Sequence, residues 1–413
     1  MKTKNVITLI AFVAMAFAWN NGAAADNDRF IRVQGKHLVT PDGKEFLIQG
    51  TNLGNWLNPE GYMFLFRSAN ANSFRTIDEA FCELAGPDFT RNFWKEYKNN
   101  YIAKEDIDYI KRTGMNTIRV PFHYKLFTDE YYLGSSSDQD GFEIFDRLLG
   151  WCREAGLYVI LDMHDAPGGQ TGAVTDDSYG YPFLFESEEN QRQYCDIWQR
   201  IAQRYANDTI VLGYDLLNEP IIPEFKKLYS SLEPTYKRCT KAIREVDKNH
   251  IVMLEGVHRP DCFTVFHDWK FDERMMYSCH RYKSDTLQAN LQEFVDFREK
   301  TGRPMYMGET GENTDQWVAA WRRLMKANDM GWTYWPYKKM SQKTACLMLI
   351  PTPENWDLIA EYVKQDRSSR QKINEARPDM KLVRKAMTDY LENMKFANCK
   401  KSEGYIRALG MKP

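Results

Sequence analysis

Between residues 45 and 337, short runs of β-branched and aromatic residues recur eight times, and longer amphipathic stretches separate most of them. The runs are 45–54, 115–121, 157–164, 210–220, 250–256, 275–282, 304–309 and 331–337. The intervening stretches have helical spacing and several end on glycine, as in "KEDIDYIKRTG" (104–114), "EIFDRLLGWCREAG" (143–156) and "TLQANLQEFVDFREKTG" (286–302). "QRQYCDIWQRIAQRYAN" (191–207) follows the same plan. Strands alternating with helices must pair in parallel through right-handed crossovers. Eight repeats suit an α/β fold of the closed (β/α)8 TIM barrel type better than an open doubly wound sheet. No GxGxxG follows the first run, which weakens a dinucleotide-binding fold. Ahead of the barrel, "RVQGKHLVTPDGKEFLIQG" (32–50) reads as a β-hairpin turning at Pro41-Asp42-Gly43.

The first 25 residues are a different kind of sequence. Lys2 and Lys4 precede an apolar run from Val6 to about Ala18, and Ala23-Ala24-Ala25 supplies small residues for cleavage. This is the pattern of a secretory signal peptide, and the run is shorter than the roughly 20 apolar residues a spanning helix needs. The expectation is a secreted protein, periplasmic or extracellular, with no membrane span. Residues 26–413 carry no linker, low-complexity block or charge block and read as one domain. The net charge of −2 gives no basic footprint for nucleic acid. The eight cysteines are widely and irregularly spaced, with no CxxC, so no disulfide pairing and no metal knuckle is expected. A monomer without cofactor is expected.

Catalytic groups of such a barrel stand at the C-terminal ends of its strands. Read off in order, those ends give Asn52, Asn55 and Trp56 after the first strand, Arg119, His164, Asn218-Glu219, His280 and Tyr282, Glu309, and Trp335. Glu219 and Glu309 are two carboxylates from strands four and seven, nearly opposite one another. Glycoside hydrolysis needs such a pair, one protonated to assist the leaving oxygen and one ionised. Arg119 and Tyr282 are placed to favour the charged form of one, and burial the neutral form of the other. Each residue also has a plainer reading. Glu219 suits a helix N-terminus. Glu309 suits a solvated loop, with Glu312 nearby. Arg119 suits a structural partner of a barrel carboxylate, and Trp335 the core. His164 suits a satisfied rim position or a metal site with Asp162 or Asp165, although no HxH or HExxH completes three ligands. All of these must hold together to remove the constellation.

The segments "LLNEP", "RVPFHY", "LDMH", "HRY", "MGETG" and "YWPYKK" resemble the strand-end motifs of glycoside hydrolase family 5, in clan A of retaining glycosidases. The resemblance covers essentially the whole of 26–413. It implies Glu219 as acid/base and Glu309 as nucleophile. It implies Asn218 on the sugar 2-hydroxyl, Arg119 and Tyr282 steadying the nucleophile, His164 and His280 lining the −1 subsite, and Trp335 beneath the sugar. "GTNLGNWLNPEGYM" is similar to the first-strand segment of exo-β-1,3-glucanases, with Asn55 where they have glycine and Glu60 where they grip the terminal glucose. "HDAPGGQTG" is similar to their loop after strand three. The implied activity is a retaining β-glycosidase on β-glucans or β-glucosides, exo-acting in the exo-β-1,3-glucanase or β-glucosidase manner. An endo-β-1,4-glucanase or β-mannanase is the alternative, and a non-catalytic carbohydrate-binding barrel or a metal-dependent barrel hydrolase the competing class. The segment "TDDSYGYPFLFES" (175–187) matches nothing in the family pattern. Its Asp176 and Asp177 read as solvated loop acids or sugar ligands. Residues 338–372 are expected to flank the cleft before a closing helix, and 373–394 to form one further helix on the barrel.

Overall fold

The computed structural model describes residues 29–413 apart from 174, 259 and 342–344, so the signal-peptide segment lies outside the described residues. Eight strands close into a barrel: β3 (Gln49–Asn52), β4 (Thr117–His123), β5 (Tyr158–Asp165), β6 (Val211–Asp215), β7 (Ile251–Glu255), β8 (Met275–Arg281), β9 (Met305–Thr310) and β10 (Gly331–Tyr334). Each pairs in parallel with its sequence neighbour, and β10 closes on β3. All eight sequence-predicted runs overlap a barrel strand. Their ends differ. β6 stops at Asp215, three residues short of Asn218, and β4 runs four residues past Arg119. The apolar Leu216-Leu217 that extended the fourth run belongs to the loop, where both side chains are buried. Hydrophobicity alone does not mark where hydrogen-bonded pairing ends.

The hairpin comprises β1 (Arg32–Gln34) and β2 (His37–Val39), which turn at Gly35-Lys36 rather than at Pro41-Asp42-Gly43. The latter forms a second tight turn, with Gly43 donating to the Thr40 carbonyl at 2.9 Å and Val39 bridging Glu45. Ile31 and Leu38 pack with Ile48, Ile160, Leu212, Ile251, Met276 and Tyr306 in a cluster separate from the main core. Those strand residues lie toward the N-terminal ends of their strands, so the hairpin covers the barrel mouth opposite the strand C-termini. The catalytic face is thereby left as the one open end.

Helices wrap the strands, among them α3 (Lys104–Thr113), α4 (Asp140–Ala155), α5 (Glu188–Tyr205) and α7 (Ala289–Thr301). The glycine stops read from the sequence hold at Gly114, Gly156 and Gly302, where φ is +101°, +67° and +64°. A long insert between β3 and β4 carries α1 (Phe74–Ala85) and α2 (Pro87–Asn100), which pack with α9 (Trp356–Tyr362) and α11 (Met380–Asn393) around Phe64, Phe81, Trp94, Tyr97, Trp356 and Tyr390. Trp356 Nε1 donates to the Phe64 carbonyl at 2.7 Å, and the Tyr97 hydroxyl donates to the Asn55 carbonyl. This aromatic block holds the loop after β3 in place. Truncating Trp356 to Ala would remove about 3–5 kcal/mol of packing from it.

The single helix expected over 373–394 is two, α10 (Arg370–Ala376) and α11, because Pro378 ends the first and Asp379 caps the second at the Lys381 and Leu382 amides. After β10 comes a small sheet of β11 (Lys338–Met340), β12 (Met348–Ile350) and β13 (Lys400–Lys401). None of its three strands was expected from the sequence pattern.

Candidate active site

Eight of the nine residues singled out from the sequence line one cavity of about 380 Å³ at the C-terminal face: Glu60, His164, Asn218, Glu219, His280, Tyr282, Glu309 and Trp335. The ninth, Arg119, is fully buried beneath it.

Arg119 organises the floor. Its guanidinium donates to Glu309 Oε1 at 2.6 Å, Asp215 Oδ2 at 3.0 Å, Glu255 Oε1 at 3.0 Å and Asn218 Oδ1 at 3.0 Å, and lies 3.1 Å from Asp162 Oδ1. Asn52 accepts from it at 3.1 Å and in turn donates to the Gly308 and Thr333 carbonyls. One cation therefore faces four buried carboxylates. The other oxygen of Glu309 accepts from the Tyr282 hydroxyl at 2.9 Å, and burial keeps that phenol protonated by raising it far above its ordinary range. Gly308 sits next to Glu309 because a Cβ there would lie 2.2 Å from Ser278 Oγ.

Glu219 is held differently. Its backbone has φ +44°, unusual for a residue with a side chain, and its amide donates to Glu255 Oε2 at 2.7 Å. Gln170 pins the preceding carbonyl, of Asn218, at 2.9 Å. The Glu219 side chain is about one-fifth exposed, and its Oε1 meets His280 Nδ1 at 3.1 Å. His280 Nε2 lies 3.1 Å from Glu255 Oε1. Burial alone would discharge His280, but Glu255, Glu309 and Glu219 outweigh it and raise its pKa well above the imidazole range. One oxygen each of Glu219 and Glu309 and a nitrogen of His280 all lie within 4.8 Å of one another.

His164 stacks 5.4 Å from Trp335 at 6°. It shares a 2.8 Å contact with Asp162 through Nδ1 and a 3.3 Å contact with Asn218 through Nε2. Burial holds it near a pKa of about 4, so it is neutral. Trp335 donates to the Tyr62 hydroxyl at 2.6 Å, and its ring lies so close to Gly54 that a Cβ there would sit 2.7 Å from it. Glu60 is buried, its Oε1 has no protein partner, and burial followed by the charges of Glu309, Glu312 and Glu219 raises its pKa well above the usual range. Asn55 has φ +67° and accepts from the Glu60 amide at 2.9 Å. A position that needs the left-handed region explains why asparagine stands where exo-glucanase sequences carry glycine. Trp56 is core: it is fully buried and donates to the Lys98 carbonyl.

Two floor carboxylates, Asp215 and Glu255, carry no role in the sequence reading, and a third, Asp162, enters it only as a metal partner of His164. The available signal was a charged residue inside an otherwise apolar run, as in "VILDM", "LGYDLL" and "VMLEG", which demands a buried partner. Asp176 and Asp177 require a correction. Neither is solvated. Asp176 accepts from the Thr171 amide at 2.8 Å and the Ser178 hydroxyl at 2.5 Å, while Asp177 accepts from the Ser73 hydroxyl and Arg75 amide at the start of α1. Both fold the loop. His164 is paired with Asp162, but the set whose distances suit a cation among the described residues is Glu219, His280 and Glu309. The set is already engaged by protein groups: Arg119 and Tyr282 each hold an oxygen of Glu309, Glu219 meets His280 Nδ1 and Glu255 meets His280 Nε2, and a cationic His280 opposes a metal there.

These titrations set a pH dependence of stability. Burial, opposed by Arg119, raises Asp162 to about 8 from an unfolded value near 3.9, and His280 is raised from near 6.5. Between pH 6.5 and 8 both groups bind more proton in the folded state, so stability falls as pH rises through that window. The buried neutral imidazoles His123 and His164, lowered to about 4, act only below it. Calorimetry should therefore show Tm dropping from pH 6.5 to 8, and a flat or rising Tm would contradict the assignment.

With this geometry in place, comparison with known proteins identifies the family. The sequence model described as cellulase (glycosyl hydrolase family 5) matches residues 78–341. The chain belongs to glycosyl hydrolase family 5. Among relatives of this family 5 chain, a "Beta-xylosidase" of Phanerodontia chrysosporium is 28% identical over 293 residues, covering 70% of this chain and 59% of that protein. "Endoglucanase C" of Acetivibrio thermocellus is 26% identical over 310 residues, covering 60% and 87% respectively. The rutinosidase structure from Aspergillus niger superposes with a TM-score of 0.57 at 19% identity, covering 73% of this chain and 92% of that one, a likeness that bears on fold alone. The chain thus spans about three-fifths of the length of the first relative, and the two relatives' printed activities differ.

Proposed function

We propose that this family 5 protein is a retaining β-glycosidase acting on β-glucans or β-glucosides, with Glu309 as nucleophile and Glu219 as acid/base. The observation that carries the reading is the approach of the two carboxylates to within 4.8 Å at the cavity floor. Retaining enzymes hold them about 5–5.5 Å apart, whereas inverting enzymes leave roughly 6.5–9.5 Å for a water.

Their surroundings divide the labour. Burial raises the Glu309 carboxyl, but the charges of His280 and Arg119 oppose that rise, and Arg119 and Tyr282 occupy an oxygen each as donors. An ionised Glu309 satisfies both donors, so it is the attacking group. Glu219 is more open and touches His280, which places it to give a proton to the departing oxygen and then to take one from water. Asn218 has one amide hydrogen left for the sugar 2-hydroxyl. Trp335, held flat by His164 and Tyr62, offers the stacking face beneath the ring.

The exo reading is supported by Glu60, Tyr62 and Glu312, which line the same cavity as the two carboxylates, with Glu312 ion-paired to Lys339 and Lys339 lying 5.4 Å over the Tyr62 ring. We further propose that the protein is exported as a monomer with 26–413 as its mature domain; among the described residues, no helix is long and apolar enough to cross a membrane.

The test is hydrolysis of an aryl β-glucoside followed by NMR, with a linkage-defined panel of β-gluco- and β-manno-oligosaccharides alongside. The first-formed sugar should be the β-anomer, released one unit at a time, and activity should survive a chelator. An α-anomer as first product would overturn retention, and loss of activity with the chelator would restore the metal-dependent class.

A further inference from the structure

We propose that the 175–187 segment builds a second sugar-binding subsite beside the catalytic cavity, which takes a distal unit of a β-glucan chain; the identity of that polymer rests on the glycosidase reading above. The segment carries none of the family motifs read from the sequence, and the structure shows what it forms. A separate cavity of about 230 Å³ lies on its far side, walled by Tyr124, Asp177, Ser178, Tyr179 and Phe183 together with Arg75, Lys125, Glu130 and Asn190.

Three features make this a binding site rather than a crevice. The first is aromatic exposure. Six large apolar side chains are exposed among the described residues, and two of them, Tyr179 at 79% and Phe183 at 44%, border this cavity. A third, Tyr62, borders the catalytic cavity. An exposed ring gains nothing from the fold, but the apolar C–H face of a pyranose covers it well. The Arg75 guanidinium lies 4.6 Å over one face of Tyr179 and fixes the ring while its other face stays open.

The second feature is unmet hydrogen-bonding capacity. His123 Nε2 lies 3.6 Å from Asp165 Oδ2 and equally far from Asp177 Oδ2, beyond hydrogen-bond length to either, and all three residues line the cavity. Burial lowers His123 to about 4, so its ring is neutral and each nitrogen can serve as donor or acceptor according to tautomer. Nδ1 accepts from the Lys125 amide at 3.1 Å, which leaves Nε2 as the N–H. Acidic and basic groups are mixed around the mouth: Lys125 lies 3.5 Å from Asp177 and 3.8 Å from Glu130. Arg75 and Lys125 offset Asp177 and Glu130, and burial pushes Asp165 above the usual carboxylate range toward its neutral form, so a neutral polyol is the chemistry that matches.

The third feature is continuity. Asp165, at the end of β5, lines both cavities. Thr171, Thr175 and Asp176 line the catalytic side and Asp177 and Ser178 the other, so these residues form the ridge between the two cavities. A chain held at Trp335 by one end has this second cavity across the ridge for a unit farther along.

The experiment is native affinity electrophoresis through gels containing a soluble β-1,3-glucan or a soluble mixed-linkage β-glucan, comparing the full-length protein with Tyr179→Ala/Phe183→Ala. At least one glucan should retard the wild type, and the double variant should bind it about tenfold more weakly, the loss expected for two stacking rings. Tyr179→Trp should keep the retardation. Hydrolysis of an aryl β-glucoside, which is too short to reach across the ridge, should be the same for all three proteins and reports on the glycosidase reading independently. Equal retardation of wild type and double variant, or no retardation of the wild type by either glucan, would overturn the proposal.

Discussion

Glu309→Gln is expected to lower kcat on an aryl β-glucoside by about four orders of magnitude or more, equivalent to about 5 kcal/mol of barrier, with Tm close to wild type. The amide keeps the shape and one oxygen, so Arg119 or Tyr282 retains an acceptor, but it cannot attack the anomeric carbon. Comparison with Glu219→Gln separates the two roles. A lost nucleophile disables every substrate, because no covalent intermediate forms. A lost proton donor disables substrates in proportion to how badly their leaving group needs the proton, so an activated dinitrophenyl glucoside should retain far more activity with Glu219→Gln than an unactivated disaccharide. Azide should rescue Glu309→Ala to a product of inverted anomeric configuration and Glu219→Ala to one of retained configuration. Near wild-type turnover by Glu309→Gln, or the same leaving-group dependence for both variants, would remove the assignment.

Much of this site was legible because a barrel converts sequence order into spatial order. Once eight runs are read as strands, residues at their C-terminal ends share a rim whatever their separation along the chain, and Glu219, His280, Tyr282, Glu309 and Trp335 meet around one cavity accordingly. The strand–helix rhythm was visible for a similarly local reason: side-chain period and glycine stops are properties of neighbours in sequence. Long-range pairing was not visible. Nothing near Asp177 announces that it caps a helix beginning at Phe74, and "KK" at 400–401 gives no hint of the strand it adds to β12. Arg119 was expected at a strand end and lies mid-strand, because its function is to reach inward to Asp162, Asp215, Glu255 and Glu309 at once. Three of those partners stand in apolar runs, where their burial becomes intelligible only when the single cation they share is known.

That shared cation makes Arg119→Met the most damaging single change expected outside the two catalytic carboxylates. Methionine matches much of the side-chain volume, so the loss is electrostatic rather than a cavity. Breaking one buried ion pair by removing a partner typically costs about 3–5 kcal/mol. Here one substitution strips the guanidinium from four buried carboxylates and from two amide oxygens, so the cost should exceed that range and take up most of a domain's usual 5–15 kcal/mol of stability. The variant should therefore fail to accumulate in soluble form at neutral pH. The damage should be graded by pH. Burial already raises Asp162 and Asp215 above the ordinary carboxylate range, and loss of Arg119, which lowers both, must raise them further. Folding then takes up protons between the unfolded carboxylate range near 4 and these raised values, so stability of the variant rises as pH falls from 8 toward 5. Adding Asp215→Asn should recover part of the loss at pH 7, since the amide still fills the site without its charge. Soluble yield of both variants at pH 7.5, with circular dichroism melts at pH 5 and pH 7.5 of whatever soluble protein is recovered, measures all three effects. A soluble Arg119→Met protein melting within a few degrees of wild type at pH 7.5 would show that the floor carboxylates are held by something other than this guanidinium.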